Sequence, residues 1–191
     1  MKLRVDRLLI SNEERVQERP QVSRAIHSPA GLGWLNAISQ SNMVVSAILA
    51  VINPELYEAG WKTFMHLRKD TEFQRQDIHH VLNQWTSAFS GVSIMRNRIT
   101  PLHRDGSSRH HWYDLLVTLG DYQKCDFELP GLGVLLEYGP GTVVGLSGMV
   151  LQHEVANFEG ERECYAYFMR NDVHGWANVP ASDWMKQKYY Q

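Results

Sequence analysis

The chain has 191 residues, a length that suits one domain able to bury a core without staples. Its 43% hydrophobic and 21% charged residues are those of an ordinary globular protein. A formal charge of −2 excludes the overall basic field that many nucleic-acid binders carry, and leaves any such work to local clusters.

The two cysteines, Cys125 and Cys164, lie far apart with no Cys-x-x-Cys, which excludes a disulfide framework and the usual zinc ribbons and suits a reducing compartment. The first twenty residues are charged and lack the long apolar stretch of a signal peptide. The longest apolar run, Met43 to Ile52, is ten residues interrupted by Ser46, the length of a core helix rather than a membrane span. An intracellular protein without membrane contact is expected.

Residues 1–30 are mixed in charge and carry Pro20 and Pro29, and no element is assigned there. From Leu32 the apolar residues Trp34, Leu35, Ile38, Met43, Val44, Ile48, Leu49 and Ile52 cluster densely, which predicts one or two buried helices. Asn53-Pro54-Glu55 reads as a helix start, with Asn53 as N-cap and Pro54 in the first turn. Tyr57, Trp61, Phe64 and Met65 then follow at the spacing of one helical face. A third helix is expected from about Thr71, with Ile78, Val81, Leu82 and Trp85 on one stripe.

After Phe89 the pattern changes to short runs of β-formers separated by glycines. Strands are expected over Gly91–Met95, Asn97–His103, Trp112–Leu119, Phe127–Leu129, Val134–Tyr138, Thr142–Leu146, Met149–Val155 and Arg162–Met169. Leu-Pro-Gly-Leu-Gly and Tyr-Gly-Pro-Gly read as turns. The expected class is α+β: residues 1–88 a helical support, 89–175 an antiparallel jelly-roll core and 176–191 a tail, all in one domain.

The chemistry-bearing residues sit in that second half. His103 and Asp105 form a His-x-Asp pair, and side chains two apart on an extended segment point the same way, so both can meet one ion. The pair alone is a weak signal. A third candidate ligand, His153, stands 48 residues later. Two histidines and one carboxylate leave half of an octahedral shell open, the arrangement of non-haem Fe(II) oxygenases. Nine residues on, Arg162 opens a predicted strand in which Arg162, Cys164, Ala166, Phe168 and Arg170 share a face. An inward guanidinium there can clamp the distal carboxylate of a 2-oxo acid.

Other polar features stay open. The stretch from Arg96 to His111 holds four arginines and three histidines, and reads either as a solvated loop or as a phosphate-contacting rim. Arg98 and Tyr113 point into the pocket or serve core and surface roles, and Asp114 orients a ligand or caps a turn. His-Arg-Asp also occurs in kinase catalytic loops, but Gly106 follows here and no Asp-Phe-Gly accompanies it, so that reading fails.

The strings Asn97-Arg-Ile-Thr-Pro-Leu-His-Arg-Asp105, Trp112 to Gly120, Glu128-Leu-Pro-Gly-Leu-Gly133, Gly141-Thr-Val-Val-Gly-Leu-Ser-Gly148, His153 and Gly160 to Arg170 resemble the Fe(II)/2-oxoglutarate-dependent dioxygenases. Within them they resemble the TET/JBP group, particularly its fungal members. The resemblance covers roughly residues 97–170 and implies a double-stranded β-helix. It implies Fe(II) held by His103, Asp105 and His153, 2-oxoglutarate held by Arg162 with Asn97 and Cys164 beside it, and O2 as oxidant. Many relatives carry serine where Cys164 stands, and a thiol is the weaker donor. The implied reaction is oxidation of the methyl group of a DNA base, 5-methylcytosine first or N6-methyladenine, with the base flipped out of the duplex. Arg98, Tyr113, Asp114 and Arg170 are the implied substrate contacts. DNA bearing a methylated base is the implied partner, a monomer the expected state and the nucleus the implied location. A hydroxylase of protein or small molecules, and a binding module without turnover, are the alternatives.

Overall fold

The computed structural model describes residues 2–3, 20–23, 25–26, 28–70, 78–106 and 108–186. They fall into two compact units, one built on Val92–Phe168, the other drawn from Leu3–Gly91 and Met169–Gln191.

The second unit is helical. Its helices are α1 (Pro29–Ala37), α2 (Ser39–Ile52), α3 (Pro54–Lys69), α4 (Ile78–Gln84) and α5 (Asn171–Trp176). Ser28 caps α1 by accepting from Gly31 N at 3.0 Å, and Asn53 caps α3 by accepting from Leu56 N at 3.1 Å. Proline opens both, where its missing N–H costs nothing. The apolar run of α2 is not buried all round. Its inner face is Asn42, Val45, Ser46 and Leu49, while Met43, Val44 and Val51 are exposed. Ser46 sits inward because its hydroxyl donates to Asn42 O and accepts from Ala88 N, so two polar residues take core positions that the apolar clustering gave to their neighbours.

The predicted face of α3 is also displaced. The buried stripe is Leu56, Ala59, Gly60, Thr63, Phe64 and Leu67, and Met65 is exposed. Gly60 belongs to it because a Cβ there would strike Ala88 O. Of the expected third helix, 71–77 lie outside the described residues. Trp85 lies beyond the end of α4, buried, with its indole donating to Phe89 O. Among the described residues no single helix is long and apolar enough to cross a membrane.

The first unit is a pair of antiparallel sheets. The strands are β1 (Lys2–Leu3), β2 (Gly91–Arg96), β3 (Thr100–His103), β4 (Asp114–Gln123), β5 (Asp126–Leu129), β6 (Val134–Glu137), β7 (Val143–Leu146), β8 (His153–Val155) and β9 (Glu159–Phe168). One sheet runs β1-β2-β9-β4-β7 and the other β3-β8-β5-β6. Their inner faces meet in a core of Leu116, Phe127, Leu129, Tyr138, Val144, Leu146, Val155 and Cys164, the jelly-roll arrangement the resemblance implies. Burying a residue such as Phe127 contributes roughly 1.5–3 kcal/mol.

Several predicted strands are shorter than their β-formers suggest. Asn97 takes a left-handed conformation (φ 50°), so β2 ends at Arg96 and β3 begins only at Thr100. Met149 to Gln152 are not strand. Val150 N and Leu151 N both donate to Ser147 O, which coils the segment into a turn before β8. β6 is exposed along its whole length, because it is the open edge of its sheet.

Candidate metal centre

His103, Asp105 and His153 come together. Their ligating atoms all lie within 4.8 Å of one another, with His103 Nε2 3.7 Å from Asp105 Oδ1 and His153 Nε2 3.8 Å from Asp105 Oδ2. Two donors each about 2.1 Å from a shared ion stand about 3–4 Å apart, so this spacing suits a metal better than direct hydrogen bonds.

Local structure explains the convergence. The ladder between β3 and β8 slips: Thr100 faces Val155 and His103 faces His153, three steps on one strand against two on the other. Such a bulge re-aims the side chain that follows it, and here it brings the two imidazoles to a centroid distance of 4.3 Å. Asp105 lies past the end of β3, held by its own N–H donating to Gly148 O at 2.9 Å. Arg104 Nε donates to Val150 O at 3.0 Å, so the Ser147–Leu151 turn grips the loop twice.

Both imidazoles are fixed in the same tautomer. His103 Nδ1 lies 2.9 Å from Pro101 O and His153 Nδ1 lies 3.0 Å from Leu151 O. A carbonyl only accepts, so each Nδ1 carries the proton and each Nε2 presents a lone pair to the cluster. His153 is buried and stacks on Phe127 at 5.5 Å. Burial, first of all, lowers its pKa and favours the neutral ring that binds metal; its bond to Leu151 and the nearby Asp105 act the other way.

From His153 a file of rings leads to Arg162. Phe127 packs edge-on against Tyr138 at 5.3 Å, and the Arg162 guanidinium lies 5.1 Å from the Tyr138 ring, 5.7 Å from Phe158 and 6.0 Å from Tyr122. Arg162 is 3% exposed. Its Nε has no hydrogen-bond partner among the described residues, and its Nη1 reaches Arg98 O at a long 3.5 Å. The side chain also interacts with Tyr122 and the Cys164 thiol, both weak acceptors, so a buried guanidinium held this way fits a carboxylate-bearing cosubstrate. Two Nε2 lone pairs beside a carboxylate likewise fit Fe(II).

The remaining predicted residues divide. Cys164 is buried beside Tyr138 Oη at 3.8 Å, and burial pushes its thiol pKa up. Asn97 holds the backbone of β9: it accepts from Arg162 N at 2.8 Å, donates its main-chain N–H to Arg162 O and its amide to Glu161. Arg98 is exposed and Tyr113 half-buried. Asp114 is buried at the start of β4, close to Gly148. Arg170 does not continue the strand face, because β9 stops at Phe168; it precedes α5, with its N–H on Ser90 Oγ. Sequence reasoning missed Phe127, Tyr122, Tyr138 and Phe158, whose aromatic character is equally that of ordinary core. The open groove lined by His66, Lys69, Asp70 and Trp176 includes none of these residues.

A solved structure of NgTET1 in complex with 5mC DNA is similar, with a TM-score of 0.57 at 18% identity. The likeness covers 88% of this chain and 61% of that one, and at such identity it speaks for the fold. No curated protein sequence matches the chain. Residues 16–171 match the Tet_JBP family, described as the oxygenase domain of the 2OGFeDO superfamily. With the match extending over most of its length, the chain belongs to the TET/JBP family of 2-oxoglutarate-dependent dioxygenases, enzymes that use Fe(II), 2-oxoglutarate and O2.

Proposed function

We propose that the chain oxidises the methyl group of a methylated DNA base, with 5-methylcytosine as first substrate. In this reading His103, Asp105 and His153 hold Fe(II), and Arg162 holds the distal carboxylate of 2-oxoglutarate. The observation that carries it is the convergence of both Nε2 atoms and one carboxylate at the matched positions, with Arg162 buried at the far end of the ring file. Fe(II) with 2-oxoglutarate supplies dioxygen activation, coupled to decarboxylation of the cosubstrate and removal of hydrogen from the methyl group.

The chain's own residues supply position and dryness. Pro101 O and Leu151 O keep the imidazole lone pairs aimed inward, and three ligands of an octahedral ion would leave three positions for cosubstrate and oxygen. Tyr122, Tyr138 and Phe158 wall Arg162 from water, which strengthens its pull on an anion.

DNA as substrate is supported by the family and by the similar NgTET1, whose structure is described as a complex with 5mC DNA. Exposed Arg98 and Arg104 flank the metal loop and give a local cationic rim despite the net charge of −2. That net charge favours the competing reading, a hydroxylase of protein or small molecules. Incubation with Fe(II), 2-oxoglutarate and oligonucleotides bearing 5-methylcytosine or N6-methyladenine, read by mass spectrometry, separates them. Loss of methylated base with succinate release is expected. Succinate release with the bases intact would overturn the DNA reading.

A further inference from the structure

We propose that Gly148 is a positioning residue for the metal centre: the space its missing Cβ leaves is where the Asp105 carboxylate stands. The inference rests on the reading of Asp105 as a metal ligand. Gly148 lies in the Ser147–Leu151 turn beside the metal loop, and its carbonyl accepts from Asp105 N at 2.9 Å. A Cβ built on it would lie 2.5 Å from Asp105 Oδ2, 3.2 Å from Asp105 Cβ and 2.9 Å from Asp114 Oδ2. Carbon and oxygen do not approach that closely without contact, so any side chain at 148 displaces the carboxylate. It cannot yield towards Asp114, whose buried carboxylate bounds the same space.

The nature of the colliding atoms sets the consequence. Gly148 is not among the glycines with positive φ, so an alanine there meets no backbone strain. The two nearest atoms are carboxylate oxygens at the ends of side chains, which relieve the clash by rotation, and Asp105 Cβ at 3.2 Å has only a few tenths of an ångström to give. Rotation moves Asp105 off the point where its two oxygens stand 3.7 and 3.8 Å from the two Nε2 atoms. Gly148→Ala therefore spares the fold and damages the ligand set. Two other glycines behave differently. A Cβ at Gly60 strikes the backbone oxygen of Ala88, which cannot rotate away, and a Cβ at Gly139 meets nothing within 4 Å. The three sites separate a ligand-positioning role, a packing role and no role.

The experiment titrates the metal-free protein with Co(II) and Mn(II), followed by d–d absorption and by EPR, for wild type, Gly148→Ala, Gly60→Ala and Gly139→Ala. The thermal midpoint of each metal-free protein is measured alongside. Gly148→Ala is expected to weaken metal binding by about 10–100-fold, as loss of an outer partner does, and to alter the Co(II) spectrum, with its metal-free midpoint close to wild type. Gly60→Ala should lower the midpoint, and Gly139→Ala should change neither. Wild-type affinity and spectrum in Gly148→Ala would overturn the inference alone. A midpoint loss like that of Gly60→Ala would make Gly148 a packing residue and overturn it too. Failure of the wild type to bind either metal would instead overturn the reading of the triad, and the inference with it.

Discussion

The helical unit and the β unit both bury polar side chains, and what sets the β unit apart is its pair of imidazoles. In the helical unit several are tied to the main chain. Ser46 donates to Asn42 O and accepts from Ala88 N, and Thr63 donates to Ala59 O. Arg68 donates to Leu82 O and Trp85 O, and Trp85 to Phe89 O. These groups stitch helices and loops together, and the donor or acceptor is spent in doing so. In the β unit the main chain takes only one end of each imidazole, and the other ends converge on a carboxylate. Both arrangements look alike as residue types in a sequence. The direction of the leftover lone pairs distinguishes a stitch from a site.

That contrast can be broken by mutation. The largest effect is expected from His103→Ala or Asp105→Ala, each of which should abolish Fe(II)-dependent succinate formation while the metal-free thermal midpoint stays near wild type. Both residues are only half-buried and add little to the core. Turnover at wild-type rates by either variant would sink the site assignment.

Next comes Arg162→Ala, measured as the KM for 2-oxoglutarate. Losing charge-assisted hydrogen bonds of about 1.5–3 kcal/mol raises KM on the order of ten- to a hundredfold, with a smaller change in kcat. An unchanged KM would place the anchor elsewhere.

The smallest effect sharpens the other side of the comparison. Thr63→Val keeps the shape of a fully buried residue but removes its bond to Ala59 O and the 3.2 Å contact with His174 Nδ1. Denaturant unfolding should show a loss of about 1–3 kcal/mol with metal affinity unaltered. A change in metal affinity would mean that the helical unit does more than stitch.

How far the site was legible follows from the same distinction. His103, Asp105, His153 and Arg162 stand out as chemically expensive residues at suggestive spacing, so the sequence points to them directly. Alternation along one strand is not the geometry that brings His103 and Asp105 together: β3 ends at His103, and Asp105 is held from outside by Gly148. The bulge that sets His103 against His153 leaves no mark in composition, because it is a mismatch between two strands far apart in the chain. Phe127 and Tyr138 are indistinguishable from other core aromatics until the ring file is seen.

The sequence by itself determined the order of helices then strands, the Asn53 cap, the donor types of the candidate metal site and the family they resemble. These depend on local chemistry and on identity at fixed positions, which a linear string carries. Tertiary structure decided which faces of α2 and α3 are buried, where β3 and β8 slip, which imidazole nitrogen is left open and why position 148 lacks a side chain. Each of those depends on an atom from a distant segment, Ala88 for Ser46, Leu151 O for the ring of His153 and the Asp105 carboxylate for Gly148, and such atoms acquire a position only once the chain has folded.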